Sequence, residues 1–268
     1  MPTTRTGDPA KSTFAQIEHL AMLSRKSLKI GDIPRAIGQI EGCIRLVHDL
    51  RNSKEKRRLL LACAVSDHWR LGYCYAALGP GHHAHALGHL NVVRRYCLLI
   101  RKKRRLELDE STTVVLCRAL AATARICNLQ GRHELALLRA EEGLDALFGN
   151  EELQGPAADL VQMLCFAARG DALRGLGHSG EIVVRHYEQV LLHYRRYVSD
   201  AGVCAERKRL IRSTGDCLPW SRDRLHPELY LDQGAKALAE MRGELAAPMR
   251  HLADRIVKDC CFWSDTAY

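Results

Sequence analysis

The segment Gly81-His82-His83-Ala84-His85-Ala86-Leu87-Gly88-His89 is the densest run of chemistry-bearing side chains. His85 and His89 stand one helical turn apart with His82 close by, a spacing that lets two imidazoles reach one metal ion. No second Cys or His pair of matching spacing completes a tetrahedral set, so neither a metal nor a cofactor is expected. The carboxylate pairs Asp109-Glu110, Glu141-Glu142 and Glu151-Glu152 are adjacent in sequence, and adjacent helical residues point in different directions. They read as surface charges rather than as a general acid and base. The chain contains no nucleophile elbow, Walker loop, dinucleotide fingerprint or zinc-protease signature. No catalytic residue is expected, and the chain does not read as an enzyme.

Charge is the stronger signal. The 268 residues carry a formal net charge of +9 and a pI near 9.1, which favours acidic partners. Dense runs occur at Lys54-Glu-Lys-Arg-Arg58, at Arg101, Lys102, Lys103, Arg104 and Arg105, and at Arg207-Lys-Arg209. The run from Arg101 to Arg105 is similar to a nuclear-import signal, and it also ends a helix, where cations complement the macrodipole. These runs lack the interleaved aromatics that base stacking uses, which makes a nucleic acid a less favoured partner than a protein or peptide. The longest apolar stretches, such as Leu59–Val65, fall well short of the roughly 20 residues that span a bilayer, so no membrane insertion is expected. Met1–Thr13 is polar and lacks the apolar core of a signal peptide. An intracellular protein, cytoplasmic or nuclear, is the expectation. Of its 11 cysteines, Cys43, Cys63, Cys74, Cys97, Cys117, Cys127 and Cys165 are spread singly among apolar residues, Cys260 and Cys261 are adjacent, and no C-x-x-C pair occurs, which points to reduced, buried thiols.

The elements that carry these residues are helices. Apolar positions at Ile17, Leu20, Ala21, Leu23 and Leu28 trace one helical face, and Ile33, Ala36, Ile37, Ile40, Ile44 and Val47 trace a second, with a break at Gly31. Alternating β-branched runs are nearly absent, and the fold class is all-α. Helices are expected over 12–29, 33–50, 54–78, 82–101, 110–129, 133–147, 157–176 and 180–198. A basic helix follows over 201–213, then a Pro- and Trp-containing loop, then a helical region over 228–258 that Pro248 interrupts or kinks. The chain divides into a flexible segment at 1–12, four hairpins over 13–198, and C-terminal capping helices and tail over 199–268. The tail could instead fold back along a groove between the hairpins.

Four turns align as Gly31-Asp-Ile-Pro-Arg-Ala36, Gly79-Pro-Gly-His-His-Ala84, Gly131-Arg-His-Glu-Leu-Ala136 and Gly177-His-Ser-Gly-Glu-Ile182. Glycine accepts the left-handed backbone that ends a helix, and a small or apolar residue five positions later lets the next helix close. The run Leu71-Gly72-x-x-Tyr75, followed by Gly79 and Ala84, resembles the tetratricopeptide repeat. The other turns keep less of that signature, and the turn glycines lie 48, 52 and 46 residues apart against a family unit of about 34. The resemblance implies a right-handed solenoid of long helical hairpins whose first helices line a concave groove. Carried over position by position, the groove falls on Arg25, Lys29, Trp69, Tyr73, Arg118, Arg125, Asn128, Asp171 and Arg174. Such a surface suits an acidic or amphipathic peptide with one large apolar anchor, and implies an adaptor or scaffold. Trp69 and Tyr73, four apart on one face, equally fit core packing against the neighbouring repeat. A basic nuclear or nucleic-acid-associated regulator is the alternative function.

Overall fold

The computed structural model of the protein describes residues 9–49, 63–104, 110–150, 153–199 and 227–266. Among these residues ten α-helices and no strand are present. The helices are α1 (Pro9–Lys29), α2 (Ile33–Asp49), α3 (His68–Ala77), α4 (His83–Arg104), α5 (Glu110–Leu129), α6 (His133–Phe148), α7 (Pro156–Gly175), α8 (Gly180–Ser199), α9 (Pro227–Met241) and α10 (Ala247–Thr266). A wider π turn, Cys63–Asp67, leads into α3. The expected runs at Lys54–Arg58 and Arg207–Arg209 and the helix over 201–213 lie outside the described residues.

Glycine sets the hairpin turns. Gly31, Gly79, Gly131 and Gly177 have φ of 81, 100, 71 and 74°, the left-handed region that a side chain would strain. Three of the turns close with the same hydrogen-bond pair. The N–H groups of Gly31 and Asp32 donate to Leu28 and Ser27, those of Gly131 and Arg132 to Asn128 and Cys127, and those of Gly177 and His178 to Arg174 and Leu173. The second turn cannot follow suit, because Pro80 has no N–H at the position that would donate. It makes a 3₁₀ turn over Pro80–His82 instead, with His82 N–H donating to Gly79 O at 3.0 Å.

That detour corrects the turn alignment. Counted five from the glycine, Ala36 and Ala136 are fully buried, whereas Ala84 is exposed and Ile182 is 43% exposed. Counted from the start of each second helix, the fourth residue is Ala36, Ala86, Ala136 or Val183, and all four are fully buried. Helical periodicity runs from the first helical residue, and the helix starts late after Gly79 and Gly177.

Each helix packs on the next in sequence wherever both are described, and the first helices also pack on one another, α3 on α5, α5 on α7 and α7 on α9. Close approach is built in at Gly72, where an added Cβ would lie 2.7 Å from Leu90, and at Gly143, where it would lie 2.8 Å from the Cys165 sulfur. Two large apolar clusters meet at α5, which contributes Leu116, Ala119 and Leu120 to one and Val114, Cys117 and Ala121 to the other. Among the described residues α5 also has the one stretch, Thr112–Leu129, long and apolar enough to cross a membrane, and 61% of it is buried by the protein itself. Cys43, Cys74, Cys97, Cys117, Cys127 and Cys165 are free thiols inside this core, and burial pushes Cys74 and Cys117 up to about 12.

Residues 227–266 form a fifth hairpin, the helical region being interrupted just before Pro248. Leu245 is extended between α9 and α10, and Pro248 sits in the first turn of α10, where its missing N–H has no helical partner to lose. α9 packs on α7 and α8, α10 packs on α8, and Gly180 and Gly234 make room for Leu245 and Tyr187.

Candidate interaction surface

The residues assigned to a groove separate into three groups. Trp69, Tyr73 and Arg118 are only 6%, 7% and 7% exposed. Trp69 and Tyr73 meet edge to face, with ring centroids 3.8 Å apart, inside the apolar cluster that holds Leu28, Ile37 and Leu90. Helix α3 is short and is covered by α2, α4 and α5, so every residue from Trp69 to Cys74 is buried whichever way it points. The aromatic centre of the expected groove is therefore core. Arg70, also buried, pairs with Asp67 at 3.3 Å.

The second group is tied to the chain itself. Asn128 donates from Nδ2 to the Ala168 carbonyl at 2.9 Å and meets the His133 ring at 3.2 Å. Arg174 donates to Glu240 of α9 at 2.7 Å. Between them lies Asp171, which accepts the Tyr187 hydroxyl at 2.5 Å. Desolvation raises the Asp171 pKa, against the lowering effect of the Tyr187 hydrogen bond and of Arg174, Arg125 and His133. The His133 ring fills the gap beside Gly175, where a Cβ would lie 2.3 Å from Nδ1. Arg125 and Arg174 act on Asp171, as does the His133 that contacts Asn128, so these residues form a polar seam linking α5, α7, α8 and α9 rather than an open groove. Only Arg25 and Lys29, on the last turns of α1, form a third group, exposed cations with no carboxylate in the first turn of their helix.

A second seam joins the first two hairpins. Tyr75 of α3 donates its hydroxyl to Glu41 of α2 at 2.9 Å. Its ring stacks at 5.2 Å on His85 and at 5.5 Å on His89, with His82 at 6.1 Å. His89 Nδ1 faces His68 Nδ1 at 2.9 Å. Desolvation lowers the His68 pKa to about 4, helped by His89 and His48, and desolvation also lowers His89. Sequence reasoning saw His82, His85 and His89 and missed His68, whose partner is 21 residues away and has no periodic signal. Among the described residues no three His, Cys, Asp or Glu side chains are grouped to hold a metal ion.

Of the basic run, Arg101 is exposed and its guanidinium lies beside Gly149, at the C-terminal end of α6. It therefore faces the negative end of a neighbouring helix rather than only that of its own. Lys102, Lys103 and Arg104 belong to the end of α4, their side chains outside the described set, as is Arg105.

Comparison with protein-family models, with curated proteins and with solved structures finds no match to this chain.

Proposed function

We propose that this chain is an interaction scaffold, a tetratricopeptide-like right-handed solenoid capped by its C-terminal pair, that holds an acidic or amphipathic segment of a partner protein. The supporting observation is the serial packing of first helices α5, α7 and α9, because a row of helices packed side by side can offer one extended face to a ligand. Its net charge of +9 selects acidic segments. The basic contacts start from Arg25 and Lys29, with Arg125 further along, and not from the buried Trp69 and Tyr73.

The test is affinity capture with mass spectrometry on the whole chain, comparing wild type with Arg25→Glu/Lys29→Glu. Both side chains are exposed, so thermal melting should be unchanged. Proteins with acidic segments that wild type retains and the charge-reversed variant loses would support the reading. Retention of the same proteins by both would sink it, as would recovery of nucleic acid in their place.

A further inference from the structure

Two imidazoles in direct contact on different helices invite a question about protons. His68 and His89 approach Nδ1 to Nδ1 at 2.9 Å, with ring centroids 5.1 Å apart. The gap holds one hydrogen: one ring donates, and the other must offer a lone pair. The contact survives when both rings are neutral and when one is charged. With both rings charged, two N–H groups face each other and the bond is gone.

The contact spans a structural joint. His68 is the first residue of α3, reached through the π turn, and His89 lies near the middle of the first half of α4. Glu41 and His48 of α2, Asp67 with Arg70 at the π turn, Tyr75 of α3, and His82 and His85 of α4 surround the pair. Of these, His48 opposes a charge on His68, His85 opposes a charge on His89, and Glu41 alone favours one on His89. Helix α5 also packs on this segment and carries the buried Arg118.

We propose that the His68–His89 contact is an acid-released clasp, which parts when both rings are protonated and lets α3 come away from α4 before the rest of the stack unfolds. The linkage has a definite sign. Released rings take up protons near their ordinary value of 6.5, whereas in the closed seam His68 does so only near 4 and His89 is likewise held below its ordinary value. The open form therefore gains as the pH falls below about 6.5, by up to roughly a hundredfold per pH unit while both rings are kept neutral, until His68 titrates in place. The π turn Cys63–Asp67 leads straight into His68–Ala77 and marks the joint at which α3 would part from α4.

Trp69, next to the clasp and buried, is a built-in reporter. In the full chain with Trp220→Phe and Trp263→Phe, Trp69 emission should shift to the red between pH 6.5 and 4 while far-ultraviolet circular dichroism still reports helix. Adding His68→Gln/His89→Gln should move that shift to lower pH or abolish it, and adding His186→Gln should leave it in place. Hydrogen exchange in the unmodified chain, corrected for intrinsic rates, should show loss of protection over 68–77 at pH 5 ahead of 156–175. A red shift that coincides with global loss of helix would overturn the proposal. So would a transition unmoved by the double histidine variant or, should that variant not fold, equal loss of protection in both segments.

Discussion

The second and fourth hairpins each tie a tyrosine hydroxyl to a carboxylate, yet their titrating groups combine differently. In the second, Tyr75 bonds Glu41 and stacks on histidines, and both His68 and His89 resist charging. Acid works against the fold at both rings. In the fourth, Tyr187 bonds Asp171, whose pKa is raised by desolvation, so acid relieves a buried charge there. His186, stacked on Phe166 and lowered to about 4 by desolvation and by Arg169, pushes the other way within the same hairpin. Two groups act together at the first joint and two oppose each other at the second. A polar seam's sensitivity is thus set by the signs of its members and not by how many titratable groups it holds.

The sharpest way to break the comparison is to remove its aromatic anchors. Tyr187 is 2% exposed and packs against Gly234 of α9, so Tyr187→Ala should cost about 3–5 kcal/mol in urea unfolding. Tyr75 is only half-buried, and Tyr75→Ala should cost less than half as much. Equal losses would mean that the two seams carry equal weight. Tyr187→Phe isolates the hydroxyl and leaves Asp171 without its donor, for about 1–3 kcal/mol at neutral pH. Asp171 has a raised folded pKa, so its ionisation weakens the fold above that pKa and the penalty lifts as the pH falls through it. The cost of Tyr187→Phe should therefore shrink on acidification, and a cost that grows would show that the hydrogen bond favours the protonated carboxyl instead.

How much of this was legible beforehand depends on whether a residue's partner is local. The four turn glycines announce themselves, because a left-handed helix end needs glycine whatever surrounds it, and all four have positive φ. The buried small residue of each second helix was legible only where the helix starts two residues after the glycine, and Pro80 hid it in the second turn by denying a hydrogen bond. Trp69 and Tyr73 share a helical face as read, but which face meets solvent is decided by three neighbouring helices that no local pattern encodes. Asn128, Asp171 and Arg174 were assigned by register to a groove, and their engagement with Ala168, Tyr187 and Glu240 was not readable. His68 carried no signal, since its importance arises from a ring on another helix.

The histidine seam offers a quieter measurement. His68→Gln removes one of its two groups, so stability measured against pH from 6.5 to 4 should lose about one proton of slope, the part that His68 contributes while its folded pKa stays below its ordinary value. His186→Gln should flatten the same curve through the other hairpin, and the double variant should add the two effects, because the sites share no partner. A slope unchanged by His68→Gln would place the acid response elsewhere.

The smallest effect belongs to Arg174, which links the fourth and fifth hairpins through Glu240 at 2.7 Å. The carboxylate side of that pair is 71% exposed and the guanidinium 39%, so water screens the attraction and two long side chains lose freedom to make it. Arg174→Ala should change stability by no more than about 0–1 kcal/mol, and Glu240→Ala by a similar amount, with a double-mutant cycle returning a coupling near zero. A large coupling would show instead that the fifth hairpin is anchored by charge, and that Leu245 beside Gly180 and Tyr187 beside Gly234 are secondary. A near-zero coupling leaves Arg174 as a cation that can change partners without disturbing the stack, so that any loss of partner capture in Arg174→Ala reads as lost contact rather than lost fold.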